Sequence, residues 1–118
     1  MSFASRTALV LMDPYNDFLH PEGILTPRLT DLEEKQTVEN IRAAVSAARS
    51  QDIPIYYGLH QQYTENSFNG WKHMTPNNVK QNGLKFFQEG SWGAQILDGL
   101  EPDLAKGDVV ASKHWNSE

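Results

Sequence analysis

Two ionisable residues stand at the ends of apolar segments, where a carboxylate and an ammonium could perform acid–base chemistry together. Asp13 follows the run Thr7–Met12. Lys113 ends the run Asp108–Lys113. If both runs are parallel strands, the two side chains emerge at the edge of the sheet where sites form in open α/β folds. Strands separated by one neighbour lie about 10 Å apart, and a lysine side chain can close most of that gap. Such a pair can position a proton donor or acceptor.

Each of these two residues also has a purely structural interpretation. Asp13 precedes Pro14, and aspartate is a common turn residue in that position. Lys113 alone fits a solvated strand end. The two interpretations differ in geometry. The catalytic interpretation requires the side chains of Asp13 and Lys113 to lie close together, whereas a turn residue and a surface lysine have no such requirement.

Further polar and aromatic residues lie near the same predicted edge. Asp17 could orient the loop after the first strand by accepting backbone N–H groups, or it is an ordinary turn residue. His60 follows the second apolar run and fits the polar lining of a substrate pocket. Aromatic residues of the following loop fit an apolar pocket wall or a small satellite core. The expected substrate-binding residues are Asn16, Phe18, His60, Trp71 and Trp92.

No metal or cofactor is expected from the sequence. His73 is the nearest histidine to His60, no carboxylate lies two residues before His60, and a histidine pair without convergent carboxylates is a weak metal signal. The segment from Gly90 to Gly93 is too short for a glycine-rich phosphate loop and lacks its Lys-Ser/Thr ending.

The elements that must position these residues alternate between strands and helical or loop segments. Short apolar runs at 7–12, 53–59 and 108–113 predict three strands. Thr30-Asp-Leu-Glu33 matches the Ser/Thr-x-x-Glu capping pattern and predicts a helix from there to about Ser50. Residues 60–90 predict a lid or binding loop with a short helix near 77–87. This order predicts an α/β fold with a three-layer α-β-α, Rossmann-like parallel sheet and right-handed crossovers.

Composition excludes several classes of protein. The 118 residues carry a net charge of −5, which argues against a broad nucleic-acid surface. They contain no cysteine, so this sequence supplies no disulfide, thiolate metal ligand or thiol nucleophile. No run approaches the roughly 20 apolar residues of a membrane span. A cytoplasmic protein that binds neither membrane nor nucleic acid is expected.

Three segments together resemble the isochorismatase-like superfamily of cysteine hydrolases. The segment Ala8-Leu-Val-Leu-Met-Asp-Pro-Tyr-Asn-Asp-Phe18 is similar to the family's opening strand and its Asp-x-x-Asn-Asp-Phe motif. Glu89-Gly-Ser-Trp-Gly-Ala94 resembles the segment before its third strand, and Asp108–Lys113 resembles its lysine-bearing strand. The resemblance covers nearly all of residues 1–118 and implies the N-terminal part of a six-stranded parallel domain.

The resemblance also implies roles for individual residues. Asp13 would act as the acid/base and Lys113 would stabilise charge beside it. The reaction would be hydrolysis of an amide or ureido C–N bond, or of a vinyl ether, in a small molecule, with loop 63–87 selecting the substrate. In the amidohydrolase branch a cysteine on a later helix attacks the carbonyl, and this sequence lacks that cysteine. It also has Gly58-Leu-His60 where nicotinamidases carry Asp-x-His, which argues against a nicotinamidase-type zinc site.

The chain resembles only the first half of the family domain, and this has a consequence for association. In the family the first strand is central, so a chain without the second half would expose an open edge along Ala8–Met12. We therefore expect this edge to be covered by a second copy or by a complementary fragment. The alternative function is a catalytically incomplete homologue that acts as an association or small-molecule-binding module. A flavodoxin-like or receiver-like domain fits the motif after Asp13 poorly.

Overall fold

The computed structural model describes residues 6–113, so residues 1–5 and 114–118 of the expected domain lie outside the described part. The α/β fold with a parallel sheet is confirmed. The order of the strands in the sheet is their order in the chain, so the second strand pairs with both of the others. The three parallel strands are β1 (Leu9–Met12), β2 (Ile55–Leu59) and β3 (Val109–Ser112).

Helical segments fill the connections between these strands. The α-helices are α1 (Asn16–Leu19), α2 (Thr37–Ser50) and α3 (Pro76–Leu84). Single 3₁₀ turns occupy Thr26–Arg28, Trp92–Ala94 and Leu104–Lys106. Within residues 6–113 no helix is both long and apolar enough to cross a bilayer.

Helix α2 begins later than the capping pattern predicts, so the expected start at Thr30 is wrong. Thr30 donates its hydroxyl to the neighbouring Asp31 carboxylate instead of capping a helix. Turns follow, and Gln36 adopts a left-handed conformation with φ of 50° immediately before Thr37. A left-handed residue cannot lie inside a right-handed helix, which fixes the start of α2 after it.

One face of the sheet forms the main core against α2. The register pairs Leu9 with Ile55 and Leu11 with Tyr57, which places these side chains on a common face. Val45 of α2 packs in the same buried cluster. The apolar residues that recur every three or four positions along α2 therefore face the sheet, as in an amphipathic helix.

The opposite face of the sheet is exposed in the described part of the chain. Val10, Met12 and Tyr56 are 56%, 53% and 45% exposed, and the register adds Val109 to the same face. The sequence predicts helices on both faces, whereas residues 6–113 place a helix on only one. The described part of the chain therefore leaves an apolar face of the sheet uncovered.

A second core lies beyond the carboxyl ends of the strands, around Phe87. The Phe87 ring contacts Tyr15, Phe18 and Phe86 at centroid distances of 4.7, 5.0 and 5.1 Å. The expected short helix near 77–87 forms as α3, with Thr75 and Asn78 completing a reciprocal capping box. The long segment between β2 and β3 is therefore folded onto the strand ends.

Two buried carboxylates fix the connections at opposite ends of the sheet. Before β3, Asp108 receives both terminal nitrogens of Arg49, at 2.8 and 2.6 Å. It also accepts the backbone N–H groups of Ile55 and Asp103. These four hydrogen bonds join the end of α2 to the starts of β2 and β3. The paired guanidinium and the two N–H groups lower the pKa of Asp108 to about 2.

Asp17 performs the corresponding role beyond the carboxyl ends of the strands. Its Oδ2 accepts the buried N–H of Phe87 at 2.7 Å, and its Oδ1 accepts the N–H of Ile24 at 3.5 Å. Gly93 lies so close that a Cβ at that position would be 2.1 Å from Oδ1. The carboxylate therefore ties three loop segments together, and glycine is the residue that leaves room for it.

We expect Asp108→Asn to lower the free energy of unfolding by roughly 2–4 kcal/mol, because it breaks a buried charge-assisted pair with Arg49. The folded-state pKa lies below its usual 3.8. The stabilisation is therefore complete above about pH 4 and is lost as the pH falls towards 2. Urea unfolding between pH 2 and pH 7 measures this dependence. The exposed Asp98→Asn is the control, and equal stability of the two variants at pH 7 would contradict the prediction.

We expect Gly93→Ala to destabilise the chain by roughly 1–3 kcal/mol, because the added methyl displaces the Asp17 carboxylate. The amide signal of Phe87 should shift in NMR spectra as its acceptor moves. Gly83→Ala is the matched control: Gly83 is a helical position with nothing within 4 Å of its added Cβ. That variant should gain up to about 1 kcal/mol from helix propensity. An unchanged Gly93→Ala variant would show that Asp17 tolerates the methyl.

Candidate active site

Asp13 and Lys113 converge at the carboxyl ends of the strands, as their spacing predicts. The Lys113 Nζ lies 2.7 Å from the Asp13 Oδ2, although the two residues are 100 positions apart. The Lys113 side chain is only 4% exposed and that of Asp13 17%. Neither residue is therefore the solvated strand end or isolated turn residue of the structural interpretation.

Backbone hydrogen bonds fix the register of this pair across the three strand ends. The Asp13 N–H donates to Gly58 at 3.0 Å, and the Lys113 N–H donates to Leu59 at 2.6 Å. The other Asp13 oxygen, Oδ1, accepts the backbone N–H of His60 at 2.6 Å. Both carboxylate oxygens thus have a donor, and the end of β2 lies between the two charged residues as a spacer.

A cavity of about 330 Å³ opens above Asp13. That volume suits a small molecule. The floor holds Asp13 and His60. The walls combine apolar and cationic side chains from the loop after β1 and from the region around α3: Phe18, Leu25, Arg28, Leu29, Asn77, Lys80, Phe86 and Phe87.

Two residues of this cavity adopt left-handed backbone conformations. Asp13 has φ of 52° and Phe87 has φ of 56°. Aspartate tolerates this region, but it is strained for a bulky residue such as phenylalanine. The Asp17 carboxylate, which holds the Phe87 N–H, maintains the strained conformation. Backbone strain is concentrated at functional sites, where packing maintains it.

Tyr15 holds the backbone of one residue of the cavity lining, His60. Its hydroxyl donates to the His60 carbonyl at 2.9 Å. Burial, followed by the nearby charge of Asp13, raises the pKa of Tyr15 to about 12. The phenol therefore stays protonated and keeps the end of β2 in place. The His60 ring donates from Nδ1 to the neighbouring Gln61 carbonyl, 2.7 Å away.

The other residues expected to bind substrate divide into two groups. Phe18 and His60 line the cavity with Asp13. Asn16, Trp71 and Trp92 do not, and their side chains have other contacts. The Asn16 amide donates to the Trp92 carbonyl at 2.9 Å. Trp92 contacts His20 edge-on, and Trp71 packs against Phe68 as part of a satellite cluster.

The cavity wall also holds two cations that were not among the expected site residues, Arg28 and Lys80. Arg28 ends the 3₁₀ turn Thr26–Arg28, and Lys80 lies on α3. Neither belongs to a local motif. A pattern signal exists only for Asn77 and Lys80, whose three-residue spacing puts them on one face of a helix.

Between residues 6 and 113 the structure contains no group of three or more His, Asp or Glu side chains that could hold a metal ion. The chemistry that these residues offer is acid–base chemistry: a carboxylate with one ammonium partner, at the floor of a partly apolar cavity.

Two solved structures have the same fold over most of this chain. One is an isochorismatase family protein from Desulfovibrio vulgaris subsp. vulgaris str. Hildenborough, with a TM-score of 0.62 and 23% identity, covering 90% of this chain and 51% of that protein. The other is a cysteine hydrolase from Pseudomonas syringae pv. phaseolicola 1448A, with a TM-score of 0.62 and 21% identity, covering 93% of this chain and 47% of that protein. This chain therefore spans about half the length of the proteins that it resembles.

A family model extends this likeness from fold to sequence. The model of the isochorismatase domain matches residues 7–117, which include both Asp13 and Lys113. Since the match covers nearly the whole sequence, this chain belongs to the isochorismatase domain family.

Proposed function

We propose that this chain supplies the acid–base pair of an isochorismatase-type hydrolase that cleaves an amide or ureido C–N bond, or a vinyl ether, in a small molecule. Asp13 transfers the proton and Lys113 stabilises the charge beside it. The observation that carries the proposal is the 2.7 Å contact between Lys113 Nζ and Asp13 Oδ2, because it lies at the floor of a substrate-sized cavity.

The surroundings of Asp13 suit proton transfer. Oδ1 is held by the His60 N–H and Oδ2 by Lys113, so the carboxylate is fixed in orientation. Its 17% exposed side chain borders the cavity. Asp13 takes up a proton from water and passes it to the substrate, and the ammonium of Lys113 stabilises the carboxylate that is restored. General acid–base catalysis of this kind accelerates reactions about 10²- to 10⁴-fold.

The two candidate bonds make different demands on the protein. A vinyl ether needs a proton on its terminal carbon, water addition at the adjacent carbon and loss of the alcohol, all without a thiol. A C–N bond in a cysteine-hydrolase mechanism needs a thiolate, and these 118 residues contain no cysteine. The residues present therefore support the vinyl-ether reaction directly. For the C–N reaction, a polypeptide outside this sequence would have to supply the thiol.

A cytoplasmic location and the absence of a cofactor, both expected from the sequence, remain predictions. Neither enters the acid–base step, which uses only Asp13, Lys113 and water.

We expect Asp13→Asn to lower kcat at least a hundredfold, with isochorismate and a panel of amides and ureido compounds as candidate substrates. Asparagine accepts the left-handed backbone of Asp13 but cannot transfer the proton. Lys113→Gln should have a similar effect, and the double variant should lose little more, because paired residues act as a unit. The control Asp98→Asn should retain wild-type turnover. Full activity of Asp13→Asn would refute the proposed role.

A second variant separates lost chemistry from lost folding. Asp13→Asn leaves the Lys113 ammonium buried without its counterion, which destabilises the fold. The double variant Asp13→Asn/Lys113→Met replaces the pair by neutral groups. It should recover stability in urea unfolding while remaining inactive.

The alternative function, a module that associates or binds a small molecule without catalysis, is favoured by one observation: the sequence contains no cysteine nucleophile. The same assay distinguishes the two functions. If neither the wild-type chain nor Asp13→Asn turns over any of the candidate substrates, the binding module is the better description.

Association with a second copy or a complementary polypeptide remains a further prediction. Leu9 and Asp13 donate their N–H groups towards β2, so the alternating backbone groups of Val10 and Met12 point to the open edge. Sedimentation equilibrium should detect self-association of the purified chain, and Met12→Lys should weaken it. Val79→Lys, at a 57% exposed position on α3, is the matched control. A strictly monomeric wild-type chain would contradict self-association.

A further inference from the structure

The cavity above Asp13 differs in charge from the chain as a whole. Its lining contains one carboxylate, Asp13, and two cations, Arg28 and Lys80. The Asp13 charge is balanced by Lys113 at 2.7 Å. Among the residues that the structure describes, Arg28 and Lys80 are not among those that form ion pairs with carboxylates. The cavity therefore carries an excess of two positive charges on a chain of net charge −5.

The two cations come from separate elements that meet at this cavity. Arg28 is the last residue of the turn Thr26–Arg28, whereas Lys80 lies on α3, one turn after Asn77. Phe18 and Leu25 line the same cavity with apolar surface. A guanidinium fork suits a carboxylate, and an ammonium adds a point charge with three donors. A ligand that matches this lining has an apolar body and at least one carboxylate.

We propose that Arg28 and Lys80 are specificity-determining residues that select a substrate bearing a carboxylate, and that they orient its opposite end towards Asp13. This inference rests on the proposed function, because that function makes the occupant of the cavity a substrate. It concerns residues that do not take part in proton transfer. Anion selection at the cavity wall leaves the acid–base pair free for the scissile bond.

The experiment compares two probes of the same size that differ in charge, benzoate and benzamide. Each is titrated into the 118-residue chain, and the backbone amide signals of His60 and Asn77 are followed by NMR. We expect benzoate to bind more tightly than benzamide and to weaken as ionic strength rises. Equal affinities, or no saturable shift with benzoate, would overturn the proposal.

Three variants assign the effect to the two cations. Arg28→Gln and Lys80→Gln should each weaken benzoate binding roughly three- to tenfold and leave benzamide binding unchanged. Lys106→Gln is the matched control, because Lys106 is exposed and precedes β3, at the opposite end of the sheet. If Lys106→Gln weakens benzoate binding as much, the attraction is non-specific and the proposal fails.

The double variant Asp13→Asn/Lys113→Met separates this proposal from the proposed function. It removes the proton-transfer group without leaving an unpaired ammonium at the cavity, and it keeps both cations of the wall, so benzoate binding should persist while turnover is lost. Wild-type turnover in Asp13→Asn would refute the catalytic role of Asp13 without affecting the benzoate result. Equal affinities of the wild-type chain for benzoate and benzamide would refute anion selection without affecting the turnover result.

Discussion

The ion pair between Asp13 and Lys113 is the constraint on which the rest of the site depends. The two residues directly follow β1 and β3, which do not pair with each other, so their side chains must meet across the end of β2. This requires parallel strands, matched strand ends and a register fixed to one residue, because a one-residue slip would turn either side chain to the other face. The hydrogen bonds that join Asp13 to Gly58 and Lys113 to Leu59 supply that register.

The same pair is costly to keep inside a protein. With Lys113 only 4% exposed, both charges lose much of their hydration, and buried ion pairs often stabilise a fold less than well-packed apolar residues would. Its geometry is therefore better explained by chemistry than by stability. Asp108 provides the contrast within the same chain. Its carboxylate accepts four hydrogen bonds, two of them from Arg49, and lies at the end of the sheet away from the cavity.

Local patterns in the sequence carried most of the fold but only part of the site. Continuous apolar runs identified the strands, and a polar residue directly after a strand identified Asp13 and His60. The capping pattern at Thr30 was misleading, because a match over four residues contains no information about Gln36. The left-handed backbone of Gln36 prevents a helix from continuing through it, so α2 begins at Thr37. Arg28 carried no signal, and Lys80 carried only its helical spacing from Asn77 within the loop expected to select the substrate. Tertiary packing brings both residues to the same cavity.

The burial of the two faces of the sheet and the positions of its strand ends are separate requirements in this fold. Four consecutive apolar residues, Leu9–Met12, form β1, which is typical of a strand buried on both faces. Leu11 meets that expectation against α2 at 7% exposure, whereas Val10 and Met12, on the other face, are more than half exposed. The site itself needs only the strand ends, which the hydrogen bonds between neighbouring strands already hold in place. A second layer on the exposed face would therefore add stability to the sheet by burying apolar surface, while the positions of Asp13 and Lys113 are set within the chain described.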